Sequence, residues 1–138
     1  MAMALLKECR ASFTAQEFVT LVIEPTLCAL PSMPFSRAAA QLLLGTALHE
    51  SMGLKHRKQV GGGPALGFFQ MEPATHDDIW DNYLKYRAKI SAEVKALLVA
   101  PGADNSAELQ FNDNYAAAMA RVHYYRVAEA MPPFGDIA

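Results

Sequence analysis

Ser36-Arg37-Ala38-Ala39-Ala40-Gln41-Leu42-Leu43-Leu44-Gly45-Thr46-Ala47-Leu48-His49-Glu50-Ser51-Met52-Gly53 is the stretch that decides the fold. Ser36 offers an N-cap hydroxyl, and the apolar spacing after it predicts a helix to about Met52. Gly53 suits the C′ position, with Leu54 available for the hydrophobic contact of a Schellman stop. At about 100° per residue, Ala39, Leu43 and Ala47 form one stripe, and Glu50 falls within about 20° of Leu43. Leu42, Leu44 and Leu48 widen the apolar coverage, so the helix is expected to be central and largely buried, with Glu50 on its core face in the last turn.

A carboxyl group in that position is the first sign of chemistry. Burial strips hydration from a carboxylate, and the helix C-terminus presents the negative end of the macrodipole. Both favour the proton-bearing acid, the form that protonates a leaving group. The structural alternative is a Glu50 paired with Arg57, Lys58 or a later cation, or turned outward as the helix frays.

Downstream the pattern changes. Lys55-His56-Arg57-Lys58 leads through Gln59 and Val60 into Gly61-Gly62-Gly63-Pro64, then Ala65-Leu66-Gly67-Phe68-Phe69-Gln70. Three glycines and a proline do not sit inside a regular helix, so a structured loop with short extended pieces is expected. Gly67 permits close backbone approach, the Phe rings give flat apolar surface, and Gln70 supplies a donor and an acceptor. These are materials for a groove that stacks and hydrogen-bonds sugar rings. A core aromatic pair with a satisfied amide is the alternative.

The rest of the chain reads as helices. Thr14-Ala15-Gln16-Glu17 is a capping box ahead of Phe18, Val19, Leu21, Val22 and Ile23, with Pro25 expected to kink or end that helix. After Pro73, Thr75 and Asp78 resemble an N-cap pair opening a helix through Ile79, Trp80, Tyr83, Leu84 and Tyr86, aromatic positions suited to core and rim. Ser91 is expected to start a shorter helix stopping at Pro101-Gly102, and a final long helix is expected from about Ser106 to Glu129, closed by Pro132-Pro133. With no repeat, linker or low-complexity tract, the expectation is one mainly α-helical domain over residues 1–138.

Leu43-Leu44-Gly45-Thr46-Ala47-Leu48-His49-Glu50-Ser51 resembles the Glu-Ser helix end of lysozyme-like lytic transglycosylases. Gly67-Phe68-Phe69-Gln70, then Pro73 and Thr75, is similar to that superfamily's Gly-Leu-Met-Gln…Pro-x-Thr stretch, with Phe-Phe in place of Leu-Met. His56-Arg57-x-Gln59 with Gly63-Pro64-Ala65-x-Gly67-Phe68 resembles a set of small phage-encoded proteins carrying a transglycosylase-like domain. The match covers about Leu42 to Thr75, and Asn114-Tyr115…Ala120-Arg121-Val122…Tyr124…Arg126 agrees more weakly.

The resemblance implies a lysozyme-like fold with a Gly-rich loop or short β region near the active site, and cleavage of the MurNAc–GlcNAc β-1,4 bond of peptidoglycan. By it, Glu50 matches the catalytic acid, Ser51 a helix-end residue that positions it, and Gly67, Phe69 and Gln70 the glycan-binding stretch. The superfamily's later Tyr-Asn motif has no match before Ala138. Either Tyr115 or Tyr124 substitutes for it in binding substrate, or the motif lies further on. Chemistry with one carboxylate favours a transglycosylase. A muramidase that hydrolyses the same bond needs a second carboxylate or a positioned water, with Glu72, Asp77 and Asp78 as candidates. The other alternative is a catalytically silent virion or glycan-binding module.

Other readings fall away. His49-Glu50 lacks the second histidine of a zinc-protease helix, since Gly53 stands there. His56, His76 and His123 are scattered, so no metal or cofactor is expected, and these are read as surface or satisfied histidines. Gly61-Gly62-Gly63 lacks the Lys-Ser/Thr of a phosphate loop. The basic run 55–58 reads as a solvated loop, or as a contact to anionic wall polymer.

The whole chain of 138 residues has 12 Lys+Arg, 14 Asp+Glu, a formal net charge of −2 and 52% hydrophobic residues. That balance opposes nucleic-acid binding and disorder. Cys9 and Cys28 are expected to be small buried apolar groups. No segment reads as a membrane span or signal peptide. The chain is therefore expected to be made in the cytoplasm and to reach the wall through a holin or inside a virion. Its expected partners are peptidoglycan glycan strands and, in a particle, other virion proteins.

Overall fold

A computed structural model describes residues 10–102 and 104–130. Its α-helices are α1 (Ala15–Phe18), α2 (Glu24–Cys28), α3 (Arg37–Glu50), α4 (Pro73–Asn82), α5 (Ala88–Lys95) and α6 (Asp113–Ala130). Short 3₁₀ turns cover Leu84–Tyr86 and Ser106–Gln110, and among the described residues extended pairing is limited to isolated antiparallel bridges, Lys58 to Leu66 and Leu66 to Met71. The chain is thus mainly α, with a loop held by short extended contacts. No described helix is long and apolar enough to cross a membrane.

The capping box forms: the Glu17 N–H donates to Thr14 Oγ1 at 3.1 Å and the Thr14 N–H to Glu17 Oε1 at 2.9 Å. Pro25 does not end the helix. A π-helical segment, Val19–Ile23, lets the Glu24 N–H reach the Val19 carbonyl five residues back, and Pro25, which has no N–H to give, follows at the next position. Cys28 is exposed, against the expectation of a buried thiol, and Cys9 lies outside the described residues.

Ser36 caps α3, its Oγ accepting from the Ala39 N–H at 3.0 Å. The helix stops two residues earlier than expected. Ser51 is the C-cap, and Met52 rather than Gly53 takes the left-handed C′ position, with φ of 54°. The Gly53 N–H then closes onto the Leu48 carbonyl at 2.8 Å, the long bond of a Schellman turn, and Leu54 is buried beneath it. Nor is α3 largely buried. Ala39, Leu43 and Ala47 are its buried residues, whereas Leu42 is 46% exposed.

The central helix is α6. Every residue from Asn112 to Ala120 is buried, and Ala116, Ala117, Ala118 and Ala120 are small enough for neighbouring elements to approach closely. The 3₁₀ turn and a break at Phe111 precede α6, so the expected helix from Ser106 starts seven residues later; Pro132 and Pro133 lie outside the described residues. Helix α4 begins at Pro73 with Glu72 as N-cap, because proline is pre-organised for the first helical position. Thr75 and Asp78 are therefore inside it. Likewise α5 starts at Ala88, with Ser91 within its first turn.

Three rings lock the N-terminal helices to the glycine-rich loop. Phe13, Phe18 and Phe68 meet edge to face, with centroids 5.3, 6.0 and 5.7 Å apart. Such contacts add to the burial of the rings themselves.

Candidate functional site

The loop after α3 is built by its own hydrogen bonds. Gln59 Oε1 accepts from the Ala65 N–H at 3.0 Å, folding the Gly61–Pro64 turn back on itself. Leu66 and Met71 exchange backbone bonds of 3.0 and 3.2 Å, closing a tight turn over Gly67–Gln70. Gly67 is required there. Its φ is +75°, and a Cβ would come 1.9 Å from the Leu109 carbonyl oxygen. Arg57 anchors the base: its guanidinium stacks 4.1 Å over the Phe68 ring and bonds Asp113 and the Gln110 carbonyl. The basic run is therefore not uniformly solvated, because Arg57 turns inward while Lys55, His56 and Lys58 are exposed.

Against this loop lies a cleft of about 580 Å³ between the end of α3, the start of α4 and the middle of α6. Glu50, Phe69, Gln70 and Tyr124 all line it, drawn together from α3, the loop and α6. Tyr124 is fixed by a 2.7 Å hydrogen bond between its hydroxyl and Thr46 Oγ1, and Gln70 by donation from Nε2 to the Gly67 carbonyl at 2.8 Å. Phe69 is only 5% exposed and packs on Phe18, so it belongs both to the core and to the cleft wall.

Glu50 is not buried as the helical wheel predicts. It is exposed to the cleft. The core under α3 ends at Ala47, and Ser51 and Met52 turn the chain away, so the same stripe that packs upstream faces open space in the last turn. Arg57 is committed to Asp113 and does not pair with it.

Three other expected contacts lie away from the cleft. Ser51 is fully buried, its Oγ donating to the Ala47 carbonyl at 2.5 Å and accepting from the Leu54 N–H at 2.8 Å, so it shapes the helix end and is sealed from a ligand. Gly67 faces the Leu109 carbonyl. Tyr115 is fully buried, its hydroxyl bonded to His76 Nε2 at 2.6 Å and Trp80 Nε1 at 2.8 Å, and burial raises its pKa well above the ordinary tyrosine value.

Among the further carboxylates, Glu72 lines the cleft. Asp77 instead contacts His76 Nδ1 at 2.9 Å, and Asp78 is bound by Arg126 at 2.9 Å and Asn82 at 2.7 Å. The sequence reading missed Thr46, Ala120 and His123, which also line the cleft. Ala120, His123 and Tyr124 share one face of α6 by their helical spacing, the signal that could have found them. Among the described residues no cluster of three or more His, Cys, Asp or Glu side chains could hold a metal ion. No family model matches this chain, and no curated protein or solved structure matches it.

Proposed function

We propose that the chain is a peptidoglycan-cleaving lytic transglycosylase of lysozyme-like type, with Glu50 as its acid and base. The observation that carries this reading is the meeting of Glu50, Phe69, Gln70 and Tyr124 in one cleft, an acid beside apolar and hydrogen-bonding surface suited to sugar rings. Glu50 protonates the glycosidic oxygen as the C1–O bond breaks through an oxocarbenium-like transition state. As carboxylate it then takes the proton of the MurNAc C6 hydroxyl, whose oxygen bonds to C1 and closes a 1,6-anhydro ring. No water is consumed. A glycan strand seated in the cleft would displace the water around Glu50, giving the acid the dry surroundings that the fold alone does not.

Clearance of purified cell walls tests the reading, wild type against Glu50→Gln. General acid catalysis is worth roughly 10²–10⁴ in rate, so the variant should fall by at least a hundredfold. Equal, near-zero rates would favour a glycan-binding module. A second reading, hydrolysis of the same bond, is favoured by Glu72 lining the same cleft.

A further inference from the structure

His123 has no part in the one-carboxylate reaction, yet it lines the cleft with Glu50. Its ring lies 6.0 Å from that of Tyr124, tilted by 45°. Nδ1 is sealed from solvent with no hydrogen-bond partner among the described residues, whereas Nε2 is not sealed in this way, which leaves it as the ring nitrogen available to a ligand.

A neutral imidazole carries one proton. Orphaned buried N–H groups are rarer than orphaned acceptors, so that proton belongs on Nε2. A second proton would place an unpaired cationic N–H in the sealed position. Burial, and then Arg126, accordingly hold the ring below the ordinary histidine pKa, while Asp78 pulls it the other way. His123 thus meets the cleft as an uncharged donor. One turn earlier on the same face, Ala120 offers only a methyl group, and the neighbouring Tyr124 hydroxyl is engaged with Thr46. A donor beside a small apolar floor matches a group that is carbonyl on one side and methyl on the other.

We propose that His123 Nε2–H donates to the acetamido carbonyl of an N-acetylated sugar, whose methyl lies on Ala120, so that the cleft selects acetamido-bearing glycan. This rests on the glycan reading above and adds the group on the sugar that is recognised.

Imidazole ¹⁵N resonances of the full chain near neutral pH test it, with tri-N-acetylchitotriose against cellotriose, a neutral β-1,4 trisaccharide lacking acetamido groups. The free ring should be protonated on Nε2, and that signal should move with tri-N-acetylchitotriose and not with cellotriose. The amide nitrogen of Gln reaches the position of Nε2 and that of Asn the position of Nδ1. His123→Gln should therefore keep affinity within about threefold, and His123→Asn should lose about tenfold. A proton on Nδ1, or full affinity in His123→Asn while the Phe69 and Gln70 amides still shift, overturns the assignment and leaves the glycan reading standing. A trisaccharide that moves no cleft resonance overturns the inference outright. Wall clearance by the wild type then decides separately whether the glycan reading falls with it.

Discussion

Arg57 and Asp113 form a two-pronged ion pair, Nη1 to Oδ1 at 2.5 Å and Nη2 to Oδ2 at 2.9 Å, between the loop after α3 and the first residue of the central helix. The Asp113 side chain is 3% exposed and that of Arg57 14%. Arg57 also donates to the carbonyls of Arg10 and Gln110, so one side chain ties four parts of the chain together. Removing one partner of such a pair strands the other. Arg57→Met should cost about 3–5 kcal/mol, read as a lower urea midpoint at unchanged slope. A loss under about 1 kcal/mol would mean that the pair is solvated in solution.

Gly67→Ala should be as damaging, for a different reason. The new Cβ would meet a backbone carbonyl, which cannot swing aside as a side chain would, and φ of +75° is strained for any residue with a Cβ. Overpacking and left-handed strain together imply about 3 kcal/mol. Wall clearance should fall as well, even at a temperature where the variant is still folded, because the strained turn carries Phe69 and Gln70 into the cleft and the Gly67 carbonyl holds the Gln70 amide. Full clearance by a stable variant would show that the turn relaxes without moving the cleft wall.

What the sequence revealed was local. The Thr14 box, the Ser36 cap and the Schellman stop each depend on residues within a turn or two of one another, and the C′ position of that stop falls one residue before the expected Gly53. What it hid was where the core ends. A helical wheel assigns Glu50 to the face of Leu43, but only the packing of other elements decides that this face is covered at Ala47 and open one turn later. The same limit hid the central place of α6, a helix the sequence predicts but whose alanine-rich stretch looks unremarkable until close packing surrounds it. It also hid Arg57, which reads as one of four basic loop residues until Asp113, distant in sequence, is brought beside it. Glu50, Phe69, Gln70 and Tyr124 could be named individually, whereas their shared cleft with His123 needed the fold.

Two buried carboxyls should respond oppositely to acid. Burial pulls the Glu108 carboxyl upward, but donation from Asn112 Nδ2 and the N–H groups of Val99 and Ala100 more than offsets it, leaving its pKa below the ordinary glutamate value. With the folded pKa depressed, its contribution is present above the unfolded value and is lost as pH falls through the folded one. For Asp113, burial outweighs the attraction of Arg57 and the pKa is raised, so its contribution is present below the unfolded value and is lost as pH rises through the folded one. Glu108→Gln should therefore flatten the loss of stability on acidification and, at neutral pH, cost about 2 kcal/mol for the weakened bonds to Val99 and Ala100. Hydrogen exchange at those two amides checks it. Unchanged protection in the variant would show that the carboxylate does not hold the segment.

Glu72 decides between the two ways of breaking the glycan bond. It shares the cleft with Glu50, yet it is also the N-cap of α4, where an acidic residue has a structural reason to sit beside the positive end of the helix dipole. If that is its whole role, Glu72→Gln should clear walls within about threefold of the wild type, since a surface dipole contact of this kind is worth well under 1 kcal/mol. The released muropeptides should end in 1,6-anhydro rings, lighter by one water than hydrolysed ends. Mass spectrometry of those fragments separates the cases. Reducing ends from the wild type, together with a hundredfold loss in Glu72→Gln, would make Glu72 the residue that activates water and the reaction a hydrolysis. Anhydro ends from both proteins would leave Glu50 to act alone, giving its proton to the glycosidic oxygen and taking one back from the C6 hydroxyl.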